Sequence, residues 1–234
     1  MIAKDIKLLE ENNIYNVDCL EGFKKLENNS VDYVFTSPPY NRIRNDKYKF
    51  YNDTRVDYKD FLSEVITQSM RVAKKYVFFN IQKTLFNKKD VFELIGEFSE
   101  QIIEIIIWNK TNPRPANGCN ITNAYEFILI LSSDEEFITS NNGYLKNTFE
   151  TSVYSNPDYA DIHNAIMHPK AAQYIITNFT KENELILDPF SGMGTTALIS
   201  IDHNRKYMGF ELSEVYCNES IKRLEYFKSQ IRMF

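Results

Sequence analysis

The chain has 234 residues, 43% of them hydrophobic and 25% charged, with a net charge of −5. That is the composition of an ordinary globular protein, long enough for one domain with a sizeable core. The longest apolar stretch, Ile102 to Trp108, is broken by Glu104 and falls far short of a membrane span. No apolar segment of a signal peptide follows Met1, so a cytoplasmic protein with no membrane partner is expected. Cys19, Cys119 and Cys217, with His163, His168 and His203, are too scattered for a disulfide framework or a metal pair, and no metal is expected. The acidic balance argues mildly against a nucleic-acid partner, although the distribution of charge says more than its sum.

In chain order, Ile14–Val17 and Val31–Thr36 are short apolar runs with β-branched residues, and both predict strands. Residues 42–59 follow, with Arg42, Arg44, Lys47, Lys49, Arg55 and Lys59 interleaved with Tyr48, Phe50, Tyr51 and Tyr58. Basic residues among aromatics suit a nucleic-acid-facing loop; a solvated surface loop fits the same pattern. Phe61, Leu62, Val65, Ile66, Val72 and Ala73 share one face of a helix over 59–74. Tyr76–Asn80, Ile102–Trp108 and Phe127–Leu131 predict three more strands. Residues 132–163 are polar and irregular, with the turn signal Asn141-Asn142-Gly143. They read as an insertion within a single domain spanning 1–234. Leu185–Asp188 and Lys206–Glu211 complete seven candidate strands. Cys217, Ile221, Leu224 and Ile231 line one side of a C-terminal helix, which makes Cys217 a core residue.

Alternating strands and helices, with strands apolar on both faces, indicate an α/β fold with a mostly parallel sheet. Ligands in such sheets bind beyond the carboxyl ends of the strands. Two segments lie there, Thr36-Ser37-Pro38-Pro39-Tyr40 and Asp188 to Thr196.

Gly192-Met193-Gly194-Thr195-Thr196-Ala197 fits a glycine-rich turn between a strand and a helix, which lets the backbone approach a ligand closely. Glu211 ends the next strand, at the spacing of an acid that binds ribose hydroxyls. Alone, the pattern fits NAD as well as S-adenosylmethionine. Its place near the end of the chain requires the other strands to come from earlier residues, so the domain is circularly permuted relative to a simple dehydrogenase.

The first segment suits a different ligand. An exocyclic amine on a base is a poor nucleophile, because its lone pair is delocalised into the ring. The Ser37 hydroxyl and the Pro38 carbonyl can accept both amine hydrogens and localise that lone pair. Pro38 and Pro39 fix φ and hold the acceptors in place, and Tyr40 offers a stacking surface for an extruded base. Transfer of a methyl group from a sulfonium is then an in-line displacement governed by positioning.

Together and in this order, the segments resemble the beta group of the amino-DNA methyltransferases, in which the Pro-Pro-Tyr motif precedes the glycine motif. The resemblance also covers Asn16-Val17-Asp18-Cys19-Leu20, Ser30-Val31-Asp32-Tyr33-Val34, Ile107-Trp108-Asn109-Lys110, Ala124-Tyr125-Glu126-Phe127-Ile128, His168-Pro169-Lys170 and Arg205 to Glu211. It implies a Rossmann-like S-adenosylmethionine-dependent methyltransferase fold with a seven-stranded sheet and circularly permuted motif order. It implies S-adenosyl-L-methionine as cofactor, held by Asp18, Asp188, Phe190, Gly192, Gly194, Thr195 and Glu211, with Ser37, Pro38, Pro39 and Tyr40 catalytic. Double-stranded DNA is the implied partner, contacted by Arg42, Arg44, Lys47 and Lys49, and the resemblance admits a cognate restriction endonuclease and a monomer or homodimer. Target recognition falls to 132–163, so short a reader that it recognises few bases, shares its task with 42–59 or works as a dimer. Ala171 and Ala172 stand where members often carry a second Lys-Pro pair, which would loosen a cofactor contact.

In the family, Ser at the position of Ser37 is typical of enzymes that methylate cytosine at its 4-amino group, and Asp of enzymes that methylate adenine at its 6-amino group; cytosine is therefore the expected base. A carbon-5 enzyme needs a Cys nucleophile, and no cysteine here follows a proline. A catalytically silent S-adenosylmethionine-binding subunit would not need Ser37 to Tyr40. A nicotinamide oxidoreductase would need the glycine turn and Glu211 but not the rest.

Overall fold

In the computed structural model, the residues described are 9–41, 54–113, 121–132, 140–153, 159 and 166–231. Their order is β1 (Asn13–Asn16), α1 (Cys19–Phe23), β2 (Tyr33–Thr36), α2 (Tyr58–Val72), β3 (Val77–Ile81), α3 (Lys88–Glu97), β4 (Ile102–Lys110) and β5 (Tyr125–Leu131). There follow β6 (Thr148–Thr151), α4 (Pro169–Phe179), β7 (Leu185–Asp188), α5 (Thr195–Asp202), β8 (Lys206–Glu211) and α6 (Glu214–Ile231).

One sheet runs β1-β8-β7-β2-β3-β5-β4-β6. Pairing is parallel except where β5 lies between β3 and β4. The expected sheet has seven strands; this one has eight. The addition, β6, lies inside the polar 132–163 segment. Thr-Phe-Glu-Thr has no apolar run to announce a strand. It becomes one by pairing with the edge of β4, from Ile107 with Thr148 to Lys110 with Thr151.

Side chains leave the two faces of the sheet with the strand period of two. Val34, Phe79, Ile81, Leu129 and Leu131 face one side and pack with Phe23 of α1, Leu62, Val65 and Ile66 of α2, and Leu94 of α3. Tyr33, Phe35, Phe78, Ile128 and Ile130 face the other and pack against Ala171, Ala172, Ile175 and Ile176 of α4. Ala171 and Ala172 are fully buried there; their small side chains let the first turn of α4 lie close on the sheet. Under α6 the core holds Cys217 and Leu224 with Ile14, Ala197 and Tyr207. It ends at that point: Ile231, expected on the same apolar side, is exposed. Among the described residues no helix is long and apolar enough to cross a membrane.

The order of the strands creates the crevice. β2 pairs in parallel with β7, Tyr33 with Ile186 and Val34 with Leu187, so their carboxyl ends emerge side by side. The chain leaving β2 goes on to α2 on one face, while β7 leads directly into α5 on the other. Neighbouring strands whose connections diverge to opposite faces leave a cleft between them, where α/β sheets bind ligands.

Candidate active site

The glycine loop is fixed from below by one carboxylate. Asp188, at the end of β7, is 5% exposed. Its Oδ1 accepts from Thr36 Oγ1 at 2.8 Å and from the Phe190 amide at 3.1 Å, and its Oδ2 accepts from Thr196 Oγ1 at 2.6 Å. Burial raises its pKa, and the hydrogen bonds from Thr196, Thr36 and Phe190 oppose that rise. Asp188 thus joins the last residue of β2 to both ends of the glycine loop. The residue expected to touch the cofactor lies beneath the loop and supports it.

Further ties hold the loop's shape. The Ser191 amide donates to the Phe210 carbonyl at 2.8 Å, and the Gly194 amide closes a turn on Ser191 O at 2.7 Å. Arg223 of α6, 8% exposed, donates to Met193 O at 2.8 Å. Its Nη1 also lies 3.3 Å from Thr195 Oγ1. Phe190 packs edge-on to Phe61 of α2, ring centroids 6.0 Å apart. Gly194 caps α5 with φ +72°, in the left-handed region that glycine tolerates. A Cβ on Gly194 would meet Ser220 Cβ at 3.2 Å and Ile14 Cδ1 at 3.3 Å. The seam between β1, α5 and α6 therefore favours glycine there.

Glu211 ends β8 on the opposite wall. Its Oε2 accepts from the Gly192 amide and its Oε1 from the Ser213 amide, both at 2.8 Å. Burial raises its pKa, the two amides counter that, and the charge of Asp188 adds to it. Each oxygen keeps lone-pair capacity for a ribose hydroxyl. Asp18 follows β1, next to β8, and caps α1 by accepting from the amides of Leu20 at 2.9 Å and Glu21 at 3.3 Å. A close-approach backbone loop facing a carboxylate with acceptor capacity, at a divergent strand pair, fits an adenosyl cofactor with a ribose and an extended chain.

Across the cleft, after β2, the turn is held by Asn87, which the sequence did not single out, and by Tyr58, expected in a nucleic-acid-facing stretch but buried here. Tyr58 of α2 donates to Pro39 O at 2.7 Å, and Asn87 Nδ2 donates to Tyr40 O at 3.0 Å. Those bonds occupy the Pro39 and Tyr40 carbonyls. The Pro38 carbonyl accepts from no described residue.

The Ser37 hydroxyl belongs to a partly buried polar cluster. Ser37 Oγ lies 2.9 Å from Tyr40 Oη, and Tyr40 Oη donates to Glu126 Oε2 at 2.8 Å. Asn80, at the end of β3 and 1% exposed, places its Nδ2 3.1 Å from Ser37 Oγ, 2.8 Å from Tyr40 Oη and 2.7 Å from Glu126 Oε2. Glu126 Oε1 pairs with Lys110 Nζ at 3.1 Å. Burial pushes the Lys110 ammonium down to about 8, and Glu126 pulls it back up. His168, the N-cap of α4, accepts from the Lys170 amide at 3.1 Å. Burial first, and then the charges of Lys110 and Lys170, lower its pKa.

The structure therefore brings Ser37, Pro38, Pro39 and Tyr40 to one side of the crevice and Phe190, Gly192, Gly194, Thr195 and Glu211 to the other. Arg42, Arg44, Lys47 and Lys49 lie outside the described residues. Lys110 and Glu126 stand in segments that carry the resemblance, but nothing in the sequence pairs them. They come together because β4 and β5 are antiparallel neighbours, Trp108 opposite Glu126. The buried thiols belong to neither wall: burial and the charge of Asp18 raise Cys19 to about 12.

Comparison with known proteins agrees with this geometry. A family profile described as DNA methylase matches residues 31–222. The type II methyltransferase M.HinfI of Haemophilus influenzae is 27% identical over 249 residues, spanning 93% of this chain and 69% of that protein. M2.MboI of Moraxella bovis is 27% identical over 225 residues, covering 85% and 82%. Among solved structures, the cytosine-N4-specific PvuII DNA methyltransferase superposes with a TM-score of 0.74 at 18% identity, covering 92% of this chain and 89% of that one. A complex of M1.HpyAVI with SAM superposes at 0.65, with 21% identity and coverage of 91% and 98%. The family match runs through both walls of the crevice, with the Pro-Pro-Tyr turn ahead of the glycine loop, so the chain belongs to the DNA methylase family, as a beta-group, S-adenosylmethionine-dependent amino-methyltransferase.

Proposed function

We propose that the protein methylates the 4-amino group of cytosine in double-stranded DNA at a specific site. The observation that carries the reading is the juxtaposition of two strand exits. Thr36 Oγ1 is bonded to Asp188, so the acceptors for an amine and the loop for a methyl donor are parts of one rigid unit. Ser37 favours cytosine, and the cytosine-N4-specific PvuII methyltransferase shares the fold. Adenine at its 6-amino group is the second reading, since the same turn would accept that amine.

The chain's own groups do the positioning. The Ser37 hydroxyl oxygen and the Pro38 carbonyl accept the two amine hydrogens and localise the lone pair on nitrogen. Tyr40 stacks on the extruded base. Glu211 anchors the ribose and the backbone of 190–195 cradles the rest of the cofactor. Bound S-adenosylmethionine would supply the methyl group from its sulfonium and leave as the neutral thioether, with the proton lost by the amine passing to solvent. Residues 42–59 and 132–163 share the reading of the target sequence. Type II methyltransferases among the relatives favour a cognate restriction endonuclease as partner; action on DNA in the cytoplasm, as a monomer or homodimer, completes the proposal.

Genomic DNA from cells producing the protein, digested and analysed by mass spectrometry, should contain 4-methylaminocytosine. Finding 6-methylaminoadenine instead would transfer the assignment to adenine. No methylated base on any duplex tested would reject the reading.

A further inference from the structure

We propose that Glu126 is the positioning residue that makes Ser37 a hydrogen-bond acceptor, by fixing the order of protons through Tyr40. The inference rests on the amine-methylation reading and extends it to a residue outside the Pro-Pro-Tyr turn.

The argument is a hydrogen count among the described residues. Glu126 is 9% exposed. One oxygen faces Lys110, and the other faces Tyr40 Oη and Asn80 Nδ2. An ionised carboxylate only accepts, so the single phenolic proton of Tyr40 is directed to Glu126. The 2.9 Å contact between Ser37 and Tyr40 must then use the proton of Ser37. That proton is turned away from the substrate, and a lone pair is left to receive the amine. Asn80 is oriented by the same carboxylate, because its Oδ1 in place of Nδ2 would lie against Glu126 Oε2. One amide hydrogen goes to Glu126, and the other is shared between Ser37 Oγ and Tyr40 Oη.

Lys110 makes the arrangement directional. It has only donors to offer, so an amide at position 126 would turn its carbonyl to Lys110 and its NH2 to Tyr40. Tyr40 would then donate to Ser37. The Ser37 proton would point into the pocket, hydrogen against the amine's hydrogens.

The test is single-turnover methyl transfer to duplex DNA by the full chain, for wild type, Glu126→Gln, Tyr40→Phe and the double variant. Glu126→Gln should slow transfer by about 100-fold, the lower end of the cost of losing a positioned hydrogen-bonding group from a reacting centre. Dissociation constants for S-adenosylmethionine and DNA should stay within about twofold, since the loss belongs to the transition state. Tyr40→Phe keeps the stacking ring and removes the link, so it should slow transfer comparably. In the Tyr40→Phe background, Glu126→Gln should cost little more, because the route from Glu126 to Ser37 is already cut. Wild-type rates in Glu126→Gln, or losses that multiply in the double variant, would overturn the proposal. If Glu126→Gln fails to fold, Tyr40→Phe alone decides, and a wild-type rate there rejects it. An inactive wild type rejects the amine reading itself, whereas an active wild type with an equally active Glu126→Gln rejects only the role of Glu126.

Discussion

Lys110 and Glu126 are each about one-tenth exposed at their side chains, and at that depth a charge depends on its partner. Burial depresses Lys110 to about 8 from an ordinary value of 10.5, against the pull of Glu126. A depressed lysine contributes stability that is complete above its unfolded pKa and lost as pH falls through its folded pKa. Below about 8 the residue is charged, and its burial is offset by Glu126. Glu126→Ala leaves that charge unpaired, and breaking such a pair costs about 3 kcal/mol. Denaturant unfolding should therefore show a large loss for Glu126→Ala near pH 6.5. The loss should shrink near pH 9.5, where Lys110 is neutral in either protein. Equal losses at both values would mean that the pair is not what Glu126 contributes.

At the level of elements, the catalytic geometry depends on β2, β7 and α5 acting as one body. Asp188 makes that joint by holding Thr36 and Thr196. Gly194 completes it, because α5 starts on a left-handed residue packed against β1 and α6. Gly194→Ala adds a strained φ and a Cβ about one methyl too many at the seam. A destabilisation of about 1–3 kcal/mol is expected in denaturant unfolding, with weaker S-adenosylmethionine binding as the loop shifts. Thr36→Val is the gentler probe of the same joint: it keeps the shape and deletes one hydrogen bond to a carboxylate. It should cost about 1.5–3 kcal/mol and weaken calorimetric cofactor affinity, although Thr36 is fully buried under the cleft floor. Undiminished stability in both variants would deny the joint.

For the molecule as a whole, the question is how a chain of net charge −5 holds a polyanion. The cluster Arg42, Arg44, Lys47 and Lys49 follows directly on the Pro-Pro-Tyr turn in sequence, so its charges are tethered to the proposed amine site. Reversing these charges should weaken DNA binding and flatten its dependence on salt, because fewer counterions are released. S-adenosylmethionine affinity should stay nearly constant. An unchanged salt slope measured by titration would assign the cluster to solvent instead.

The permuted α/β class, seven of the eight strands, both turns at the strand exits and the family were legible in the sequence. Each depends on local signals: apolar runs with β-branched residues, paired prolines, glycines at a strand exit, an acid at the next. β6 was not legible, since Thr148–Thr151 has no apolar pattern and is a strand only because β4 offers it an edge. The exposure of Ile231 was not legible either, because helical periodicity does not say where the core beneath the helix stops. The protein neighbours of Asp188 and Gly194, Thr36, Thr196 and Phe190 for the first and Ser220 and Ile14 for the second, were not legible either. The cluster around Ser37 was the furthest from view. Tyr40, Asn80, Lys110 and Glu126 come from four places in the chain, and no spacing relates them. The pairing of β2 with β3, of β3 with β5 and of β5 with β4 decided that they meet, because hydrogen bonds between side chains follow distance in space, which the order of residues along the chain does not encode.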